Sequence, residues 1–483
     1  MTLNDSRLLI VGAGLMGAGI AQVAAQAGHE VSLFDARAGA AAAAKAKLAQ
    51  TLDGLAAKGK LTSEAAAATL ARITPVDTLV SADVVIEAIV EDLDVKRALF
   101  AELEALLPSD AVIATNTSSI SVTALARGMQ HPERLVGMHF FNPVPLMKLV
   151  EVVSGLGTSP DVAQAVFDLA GRWGKTAVHA RSTPGFIVNR IARPYYAEAL
   201  MLLQERAAAP EVIDACLRAA GFRMGPCELM DLIGHDTNFA VTNSVFAANF
   251  FDRRFTPSLV QQELVDAGFL GRKSGRGFYR YPEGAPALPQ DGLSRPDAQR
   301  LIVHGHGRVA DRFAAAFPQA NRNISSGWIG LEADDAQIRL TDGRTALEIA
   351  AERQMRGPVV VFDLPLGAGT DLAYSQAINL GSPASWLASL GFTPREVADV
   401  PGLVVARTIA MLVNEAADAV QQGVCDEAGA DAAMKLGVNY PAGPFEWLAS
   451  WGFDAVVTLL DRLDTHYRGE RYRVSPYLRR HAI

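Results

Sequence analysis

The sequence predicts an α/β protein joined to all-helical segments. A short apolar run near the N-terminus leads directly into clustered glycines and a helix pattern, and strand-like and helical runs then alternate up to about Thr183. Beyond Thr183 the apolar residues recur at helical spacing, and part of that stretch is repeated near the C-terminus. We therefore expect a doubly wound sheet, a helical region, a further α/β segment and a second helical region.

Length and composition exclude some classes of protein. The 483 residues exceed what one hydrophobic core usually holds, so about three or four domains are expected. The net charge of −8 offers no basic surplus for a phosphate backbone, which argues against a nucleic-acid partner. The cysteines Cys216, Cys227 and Cys425 lie far apart without the spacing of metal ligands. They fit a reducing compartment, so a cytoplasmic location and no metal are expected.

The uncharged run from Leu8 to Gly28 is long enough to span a bilayer. Its glycines are grouped directly after a strand-like stretch, and Gln22 and Gln26 recur at helical spacing. A short strand, a glycine turn and a helix explain this run better than a membrane span, so we expect no membrane partner.

That N-terminal run carries a dinucleotide fingerprint. Gly12-Ala13-Gly14-Leu15-Met16-Gly17 is a G-x-G-x-x-G sequence between a predicted strand and a predicted helix. Gly12 permits the tight turn, Gly14 lets a pyrophosphate approach the backbone, and Gly17 allows close packing of helix on strand. Asp35 ends the next strand, where an acid binds the ribose hydroxyls and favours NAD over NADP. Arg37 leaves some NADP tolerance open, and a purely structural glycine turn is the alternative.

The alternation continues as expected for a doubly wound sheet. Helices are predicted at Ala38–Ala57 and Val95–Leu107, and strands at Asp83–Ala88 and Ala111–Thr115. Asn116 to Ser119 follow the carboxyl end of the last strand, where such sheets bind ligands. For Ser119 and Ser121 a role as helix caps is the favoured interpretation.

A histidine and a carboxylate stand in two neighbouring strand-like runs. His139 is the second-last residue of Arg134–Phe140 (RLVGMHF), and Glu151 lies within Lys148–Val153 (KLVEVV). The Asn142-Pro143-Val144-Pro145 stretch between them cannot be regular structure, because proline lacks a backbone donor and restricts the residue before it. Two strands joined by this short turn would form a hairpin. The hairpin would bring His139 and Glu151 side by side as a general base and its orienting acid. A buried histidine satisfied by a neighbouring acid is the structural alternative.

Four motifs together resemble the L-3-hydroxyacyl-CoA dehydrogenase family. They are EAIVEDLDVK from Glu87, NTSSIS from Asn116, GMHFFNPVPLMKLVEVV from Gly137 and TPGFIVNR from Thr183. The resemblance covers about Leu8 to Tyr279 and implies a Rossmann NAD-binding domain followed by a helical domain. It also implies NAD-dependent oxidation of a 3-hydroxyacyl-CoA to the 3-ketoacyl-CoA.

The same resemblance implies catalytic roles. His139 matches the base that removes the proton of the 3-hydroxyl, and Glu151 matches the acid that pairs with it. Ser118 and Asn189 match residues that hold the reacting oxygen. This division is chemically sensible, because hydride loss needs an alkoxide-like oxygen and a base for its proton.

Further positions match binding residues of the family. On the cofactor side these are Glu91, Lys96, Asn116, Ser118, Asn142 and Lys273; on the substrate side they are Ser118, Lys58 and Thr51, the last standing where the family often has serine. Lys58 and Lys273 have a solvated surface lysine as the alternative. For Glu91 and Lys96 the alternative is a purely structural ion pair.

After Thr183 three helices are predicted. They span Phe186–Gln204, Pro210–Ala220 and Cys227–Ala248, and Tyr281–Asp291 reads as a linker. A strand at Arg300–Val303, the degenerate turn Gly305-His306-Gly307 and a helix follow, with another strand at Val359–Asp363. The segment is too short for a full six-stranded fold and resembles the reduced Rossmann-like domain of long bacterial family members. A structural spacer is favoured over a second NAD site.

The C-terminal stretch repeats the helical domain. Pro401 to Arg407 (PGLVVAR) parallels Pro184 to Arg190 (PGFIVNR), and Glu415 falls where Glu198 does. Ala406 replaces Asn189, so one active site per chain is expected. Our hypothesis is that the second copy packs on the first, as subunits of shorter relatives do, while a homodimer stays an option.

The sequence therefore predicts segments 1–183, 184–282, 292–395 and 398–483 and an acyl-CoA substrate. The long architecture resembles enzymes acting on 3-hydroxyadipyl-CoA in phenylacetate breakdown or on 3-hydroxybutyryl-CoA in fatty-acid oxidation. The alternatives are a non-catalytic dinucleotide-binding protein and a dehydrogenase of a free 3-hydroxy acid.

Overall fold

The computed structural model describes residues 3–289, 297–378 and 384–482. The chain forms two compact units, the first comprising Met1–Arg190 with Gln422–Val438 and the second Ile191–Gln421 with Asn439–Ile483. The four segment boundaries expected from the sequence stay a prediction. The expected start of the third segment at 292, like the end of the linker, lies outside the described residues.

The first unit is built on a sheet whose described strands number eight. The strand order is β3-β2-β1-β4-β5-β6-β7-β8, and all neighbours are parallel except the antiparallel pair β6–β7. The strands are β1 Leu8–Val11, β2 Val31–Phe34, β3 Ile73–Val76, β4 Val84–Glu87, β5 Val112–Thr115, β6 Leu135–Phe140, β7 Leu149–Ser154 and β8 Thr176–Arg181.

Helices accompany this sheet along the chain. They are α1 Leu15–Gln26, α2 Ala40–Ala57, α3 Ser63–Ala71, α4 Leu93–Leu106, α5 Val122–Leu125, α6 Pro160–Arg172 and α7 Val188–Ile191. Strands β1, β4 and β5 are buried along their whole length, as expected of parallel strands covered on both faces. The carboxyl ends of these strands therefore meet at one edge, where the fingerprint and the Asn116 loop lie.

The helical segment that follows differs from the prediction at two places. Its helices are α8 Arg193–Gln204, α9 Pro210–Ala219, α10 Pro226–Ile233, α11 His235–Ala248 and α12 Leu259–Asp266. The predicted helix at Phe186–Gln204 is interrupted at Ala192. Pro194 lies in the first turn of the next helix, where a residue without a backbone donor is tolerated. The predicted helix at Cys227–Ala248 is divided at Gly234, whose φ of +99° is left-handed.

The third segment holds more strands than its length suggested. Its described strands form a seven-stranded sheet in the order β10-β9-β11-β12-β13-β14-β15. The pairs β9–β11, β11–β12 and β13–β14 are antiparallel, and such neighbours need only short turns where parallel ones need crossovers. The elements are β9 Leu301–His304, α13 Arg308–Ala316, β10 Asn321–Asn323, β11 Gly330–Ala333, β12 Ala336–Leu340, α14 Ala346–Glu352, β13 Val359–Phe362, β14 Asp371–Ala377, α15 Ala384–Ala388 and β15 Thr393–Glu396.

The last segment reproduces the helical pattern. Its helices are α16 Val405–Gln421, α17 Glu427–Gly437, α18 Pro444–Trp451, α19 Phe453–Tyr467 and α20 Pro476–His481, of which α17 belongs to the first unit. Gly452, with φ +95°, separates α18 from α19 as Gly234 separates α10 from α11.

Within the second unit the two helical copies are joined by a buried ion pair. Arg407 of α16 donates through Nε to Glu198 of α8 at 2.7 Å, and both side chains are fully buried. This contact supports the hypothesis that the second copy packs on the first; its likeness to a dimer contact stays a prediction. Among the described residues, none of the helices has the length and hydropathy needed to cross a membrane.

Candidate active site

The glycine turn after β1 fits a dinucleotide. A Cβ on Gly12 would lie 2.4 Å from the carbonyl oxygen of Ala88, and one on Gly17 would lie 1.7 Å from that of Gly12. A Cβ on Gly14 would meet no atom within 4 Å, so the backbone there is open to approach. Helix α1 begins without a side-chain cap or an acidic first turn, so its N-terminal N–H groups suit a pyrophosphate.

Asp35 stands beside this turn, after β2. Its carboxylate accepts hydrogen bonds from the Ala13 backbone N–H at 2.8 Å and from Arg37 Nε at 3.0 Å. The hydrogen bond from Arg37 outweighs the effect of burial and lowers the pKa of Asp35 to about 2. An ionised acid therefore lies where the sequence expects the ribose, with an exposed guanidinium next to it.

His139 and Glu151 form the hairpin pair that the sequence predicts. The two residues are direct partners in the antiparallel register of β6 and β7. His139 Nδ1 donates to Glu151 Oε2 over 2.6 Å, which fixes the tautomer that leaves Nε2 as an acceptor. The rings of Phe141 and Phe186 lie 4.5 and 5.9 Å from the imidazole, centroid to centroid.

Glu151 also makes a second set of hydrogen bonds, which the sequence does not predict. Its Oε1 accepts the backbone N–H groups of Ile187 at 3.0 Å and Val188 at 2.9 Å, at the start of α7. The residue before them, Phe186, has a left-handed φ of +47°. Glu151 is fully buried, and its contacts come from a histidine and from backbone donors. The helix start that carries Asn189 is thus anchored to the carboxylate that orients His139.

Ser118 and Asn189 are also brought together. Asn189 Nδ2 donates to the backbone oxygen of Ser118 at 3.5 Å, although the two residues are 71 positions apart. Asn116, two residues before Ser118, accepts the backbone N–H of Phe140 at 2.9 Å, next to His139. The loop after β5 is therefore attached to both the histidine strand and the asparagine helix.

Glu91 holds the Ser118 loop in place. Its Oε1 accepts Thr117 Oγ1 at 2.7 Å and the backbone N–H groups of Ser118 at 2.9 Å and Ser119 at 3.1 Å. Although burial raises its pKa, these bonds and Lys96 outweigh that effect, so the pKa of Glu91 lies below its usual value. Ser121 caps α5 as predicted, whereas the cap predicted at Ser119 is wrong because that hydroxyl donates to Glu91.

Lys96 lies beneath this loop with 1 % of its side chain exposed. Its ammonium contacts Glu87 at 2.5 Å and Glu91 at 3.3 Å. Thr115 donates to the other oxygen of Glu87. The structural ion pair that the sequence left open is present, so Lys96 supports the loop from below; a direct contact of Lys96 with the cofactor stays a prediction.

A groove of about 440 Å³ joins the glycine turn to α2 and to the Asn142 loop. Gly14, Asn142 and Thr51 all line it, as does Lys47, one helical turn before Thr51. Lys47 was missed, although its i, i+4 spacing from Thr51 was a usable signal. Lys58, at the C-cap of α2, is outside the groove lining.

Lys273 lies in the second unit, where its ammonium pairs with Asp236 at 2.5 Å. The described residues contain no cluster of His, Cys, Asp and Glu able to hold a metal ion.

The first unit combines a dinucleotide turn, an oriented histidine, and the polar residues Ser118 and Asn189. These are the groups that a dehydrogenase acting on an alcohol needs.

Models of known protein families match most of the chain. The NAD-binding domain of 3-hydroxyacyl-CoA dehydrogenase matches residues 7–183, and its C-terminal domain matches 185–281 and again 402–482. The reduced Rossmann-fold domain of 3-hydroxybutyryl-CoA dehydrogenase matches 338–401. The chain therefore belongs to the 3-hydroxyacyl-CoA dehydrogenase family and is an NAD-dependent oxidoreductase. The predicted internal repeat and reduced Rossmann domain are confirmed.

The chain is also similar to individual relatives and to solved structures along much of its length. The chain is 47% identical over 491 residues to 3-hydroxyadipyl-CoA dehydrogenase of Escherichia coli K12, covering 100% of this chain and 98% of that protein. It is 40% identical to 3-hydroxybutyryl-CoA dehydrogenase of Clostridioides difficile, covering 57% of this chain and 99% of that one. A solved structure of 3-hydroxybutyryl-CoA dehydrogenase from Escherichia coli K12 superposes with a TM-score of 0.90 at 45% identity, covering 99% and 98% of the two chains.

Proposed function

We propose that His139 is the base of the reaction and that Glu151 orients it. The observation that carries this proposal is the 2.6 Å contact between His139 Nδ1 and Glu151 Oε2, within a carboxylate held on its other side by backbone N–H groups. Nε2 of His139 takes the proton of the substrate's 3-hydroxyl, and Glu151 stabilises the imidazolium that forms. When bound, NAD accepts the hydride from carbon 3.

Ser118 and Asn189 hold the reacting oxygen. Both offer hydrogen-bond donors, and they are joined to each other across 71 positions of chain. A donor aimed at an oxygen that gains negative charge lowers the barrier in both directions. Glu91 and Lys96 keep the Ser118 loop in the geometry that this task needs.

The cofactor is held by the fingerprint from Gly12 to Gly17 and by Asp35. The other cofactor-binding positions that match the family in the sequence contribute further contacts. The groove along α2, lined by Thr51 and Lys47, takes part of the CoA moiety. Lys58 extends the basic character of that helix end. The positively charged ammonium groups of these lysines can form charge-assisted hydrogen bonds with the phosphates of CoA.

We further propose that the acyl group is the 3-hydroxyadipyl group. The relative that acts on 3-hydroxyadipyl-CoA is 47% identical along the whole chain, including the reduced Rossmann segment and the second helical copy. The 3-hydroxybutyryl-CoA dehydrogenase of Clostridioides difficile covers 57% of the chain. Because the solved structure carrying the 3-hydroxybutyryl name also spans 99% of the chain, that shorter substrate is the second candidate.

The test is steady-state NADH formation with 3-hydroxyadipyl-CoA, 3-hydroxybutyryl-CoA and free 3-hydroxyadipate. We expect the highest kcat/KM for 3-hydroxyadipyl-CoA and no competition from the free acid. NADH from neither thioester would contradict the dehydrogenase proposal. A higher kcat/KM for 3-hydroxybutyryl-CoA would instead replace only the substrate.

We also place the chain in the cytoplasm. Cys216 and Cys227 are buried free thiols, and burial raises their pKa far above the usual value. Unpaired, unreactive thiols fit a reducing compartment. The formation of a homodimer stays a prediction.

A further inference from the structure

The carboxylate of Asp35 accepts hydrogen bonds from four donors of the first unit. Its Oδ2 accepts the backbone N–H of Ala13 at 2.8 Å and Arg37 Nη2 at 3.1 Å. Its Oδ1 accepts the backbone N–H of Arg37 and Arg37 Nε, both at 3.0 Å. An ionised carboxylate offers about four acceptor sites. The protein's own donors therefore occupy all the sites that Asp35 has.

These donors are of two kinds. The two backbone N–H groups belong to the glycine turn and to the turn after β2, and they fix the orientation of the carboxylate. The other two belong to the guanidinium of Arg37, whose side chain is 74% exposed while that of Asp35 is 9% exposed. The guanidinium thus lies between the carboxylate and the solvent, and it can leave without any loss of packing in the core.

A nicotinamide dinucleotide needs the same two oxygens. In a sheet of this kind, the acid after the second strand accepts hydrogen bonds from the ribose. Adjacent 2′- and 3′-hydroxyls form a fork of two donors, as the Nε and Nη2 groups of a guanidinium do. Each fork needs one free acceptor site on each oxygen, and the backbone donors already hold the others. The ribose and the Arg37 guanidinium therefore compete for Asp35.

Protonation of Asp35 does not remove this competition. The pKa of Asp35 is lowered to about 2, chiefly by the hydrogen bond from Arg37, so the carboxylate is ionised at neutral pH. The ionised form is the one that accepts from either fork. Binding of the ribose must then displace the Arg37 fork, at a cost no larger than that of breaking an exposed ion pair.

We propose that Arg37 is an internal competitor for the ribose site, so that its guanidinium weakens the binding of NAD. This rests on the proposed function, in which Asp35 receives the ribose, and it adds a residue that sets cofactor affinity. The direction is opposite to the one that charge alone suggests, because a cation usually strengthens the binding of a pyrophosphate. With NADP the displaced guanidinium gains the 2′-phosphate as a partner, so Arg37 also narrows the preference for NAD.

The experiment measures the Kd of NADH by fluorescence titration in the absence of any acyl-CoA. Arg37→Met removes the guanidinium fork and keeps both backbone donors of Asp35. We expect the Kd of NADH to fall about two- to fivefold, the range expected from the loss of an exposed ion pair. The Kd of NADPH should rise instead, because the partner of its 2′-phosphate is lost.

Arg7 supplies a matched control in the same unit. It donates to Asp83 through Nη2 at 3.1 Å and Nε at 3.4 Å, and both side chains are exposed. This pair lies at the amino ends of β1 and β4, whereas the glycine turn follows the carboxyl end of β1. Arg7→Met should therefore leave the Kd of NADH unchanged.

A double-mutant cycle locates the effect at Asp35. In the Asp35→Asn protein, adding Arg37→Met should no longer lower the Kd of NADH, because the guanidinium has no carboxylate to occupy. In the Arg37→Met protein, adding Asp35→Asn should raise the Kd of NADH about tenfold, because a charged acceptor of the ribose is lost.

A Kd of NADH that is unchanged or raised in Arg37→Met would overturn the competition. An equal fall in Arg7→Met, an equal fall for NADPH, or a fall that persists in the Asp35→Asn protein would do the same. If Asp35→Asn left the Kd of NADH unchanged in the Arg37→Met protein, the assignment of Asp35 to the ribose would fail as well. The last measurement therefore separates a failure of the proposed cofactor site from a failure of the competition alone.

Discussion

The starts of the two helical copies share one structural feature, and we propose a catalytic role for only one of them. In the first copy, Glu151 accepts the backbone N–H groups of Ile187 and Val188. In the second copy, Asp363 accepts those of Val404 and Val405 at 2.9 and 2.6 Å. Val404 and Val405 occupy the repeat positions of Ile187 and Val188, so the anchoring carboxylate was kept although it comes from a different residue type.

The backbone before each anchored helix is also repeated. Phe186 has φ +47° and Leu403 has φ +51°, both left-handed and both costly for a residue with a side chain. Such a conformation persists when surrounding contacts determine it, and the buried carboxylate supplies those contacts in each copy. The turn and its acid therefore form one unit that is independent of catalysis.

The difference lies in where the remaining carboxylate oxygen points. Glu151 offers Oε2 to His139, whereas Asp363 also offers Oδ1 to backbone donors, Ala406 N–H at 2.8 Å and Leu364 N–H at 2.8 Å. The position of Asn189 is held by Ala406. A histidine on the facing strand and one asparagine therefore distinguish a proposed catalytic centre from an anchored helix start.

The largest expected effect follows from removing the histidine. His139→Ala should lower kcat for NADH formation by about 10³-fold or more, because a positioned base contributes about 10²–10⁴-fold and no other base is assigned. The midpoint of urea unfolding should change far less than kcat. A variant retaining a tenth or more of wild-type kcat would show that His139 is not the base. The anchored helix start of the first copy would then have a structural role only, like that of the second copy.

A paired substitution separates anchoring from orientation. Glu151→Gln should cost about 10³-fold in kcat, because the negative charge that stabilises the imidazolium is lost. The amide nitrogen must also face either Nδ1, which reverses the tautomer, or the backbone N–H groups of Ile187 and Val188. Asp363→Asn should leave kcat within about twofold and, at pH 4, lower the free energy of unfolding by about 1–3 kcal/mol, since acceptors for buried N–H groups are lost. NADH kinetics and urea titrations of both variants give the comparison; an Asp363→Asn enzyme with a kcat as low as that of Glu151→Gln would contradict it.

The smallest effect concerns pH. Burial raises the pKa of Asp363 to about 6, against the backbone N–H groups that lower it. The folded chain thus holds this proton more tightly than the unfolded chain, so the resulting stability is present below about pH 4 and is lost as pH rises through about 6.

Asp363→Asn has no such titration and serves as the reference. The free energy of unfolding of the wild type relative to this variant should fall by about 2 kcal/mol between pH 4 and pH 7, as measured by urea unfolding at each pH. A constant difference would mean that Asp363 stays ionised in the folded chain throughout.

Much of the site could be predicted because its signals are local. The glycine turn, the acid after β2 and the His139–Glu151 hairpin each lie within a short stretch whose periodicity and proline content restrict the backbone. The second task of Glu151 could not be predicted in the same way, since its N–H partners are 36 and 37 residues further on. The burial of Lys96 escaped prediction for a similar reason, because a lysine on a helix usually faces water and only the fold supplies Glu87 as a buried partner.

The seven-stranded sheet of the third segment could not be predicted from the sequence. The short length of the segment argued against a full sheet. Antiparallel neighbours such as β11 and β12 nevertheless need only a short turn, here the two residues Asp334 and Asp335. Asp334 takes a left-handed φ of +54°, which aspartate tolerates better than most residues. Strand direction is decided by tertiary pairing, and no local pattern in this segment specified it.

By itself the sequence determined the alternation of strands and helices before Thr183, the dinucleotide turn, the facing pair His139 and Glu151, and the repeat that lacks the asparagine. These follow from neighbouring residues, whose spacing and conformational limits act within one element or one turn. The tertiary structure alone decided that one carboxylate both orients the histidine and anchors the helix of Asn189, and that Arg407 and Glu198 form a buried ion pair between the two helical copies. Such contacts join residues far apart in the chain, and packing of whole elements selects them.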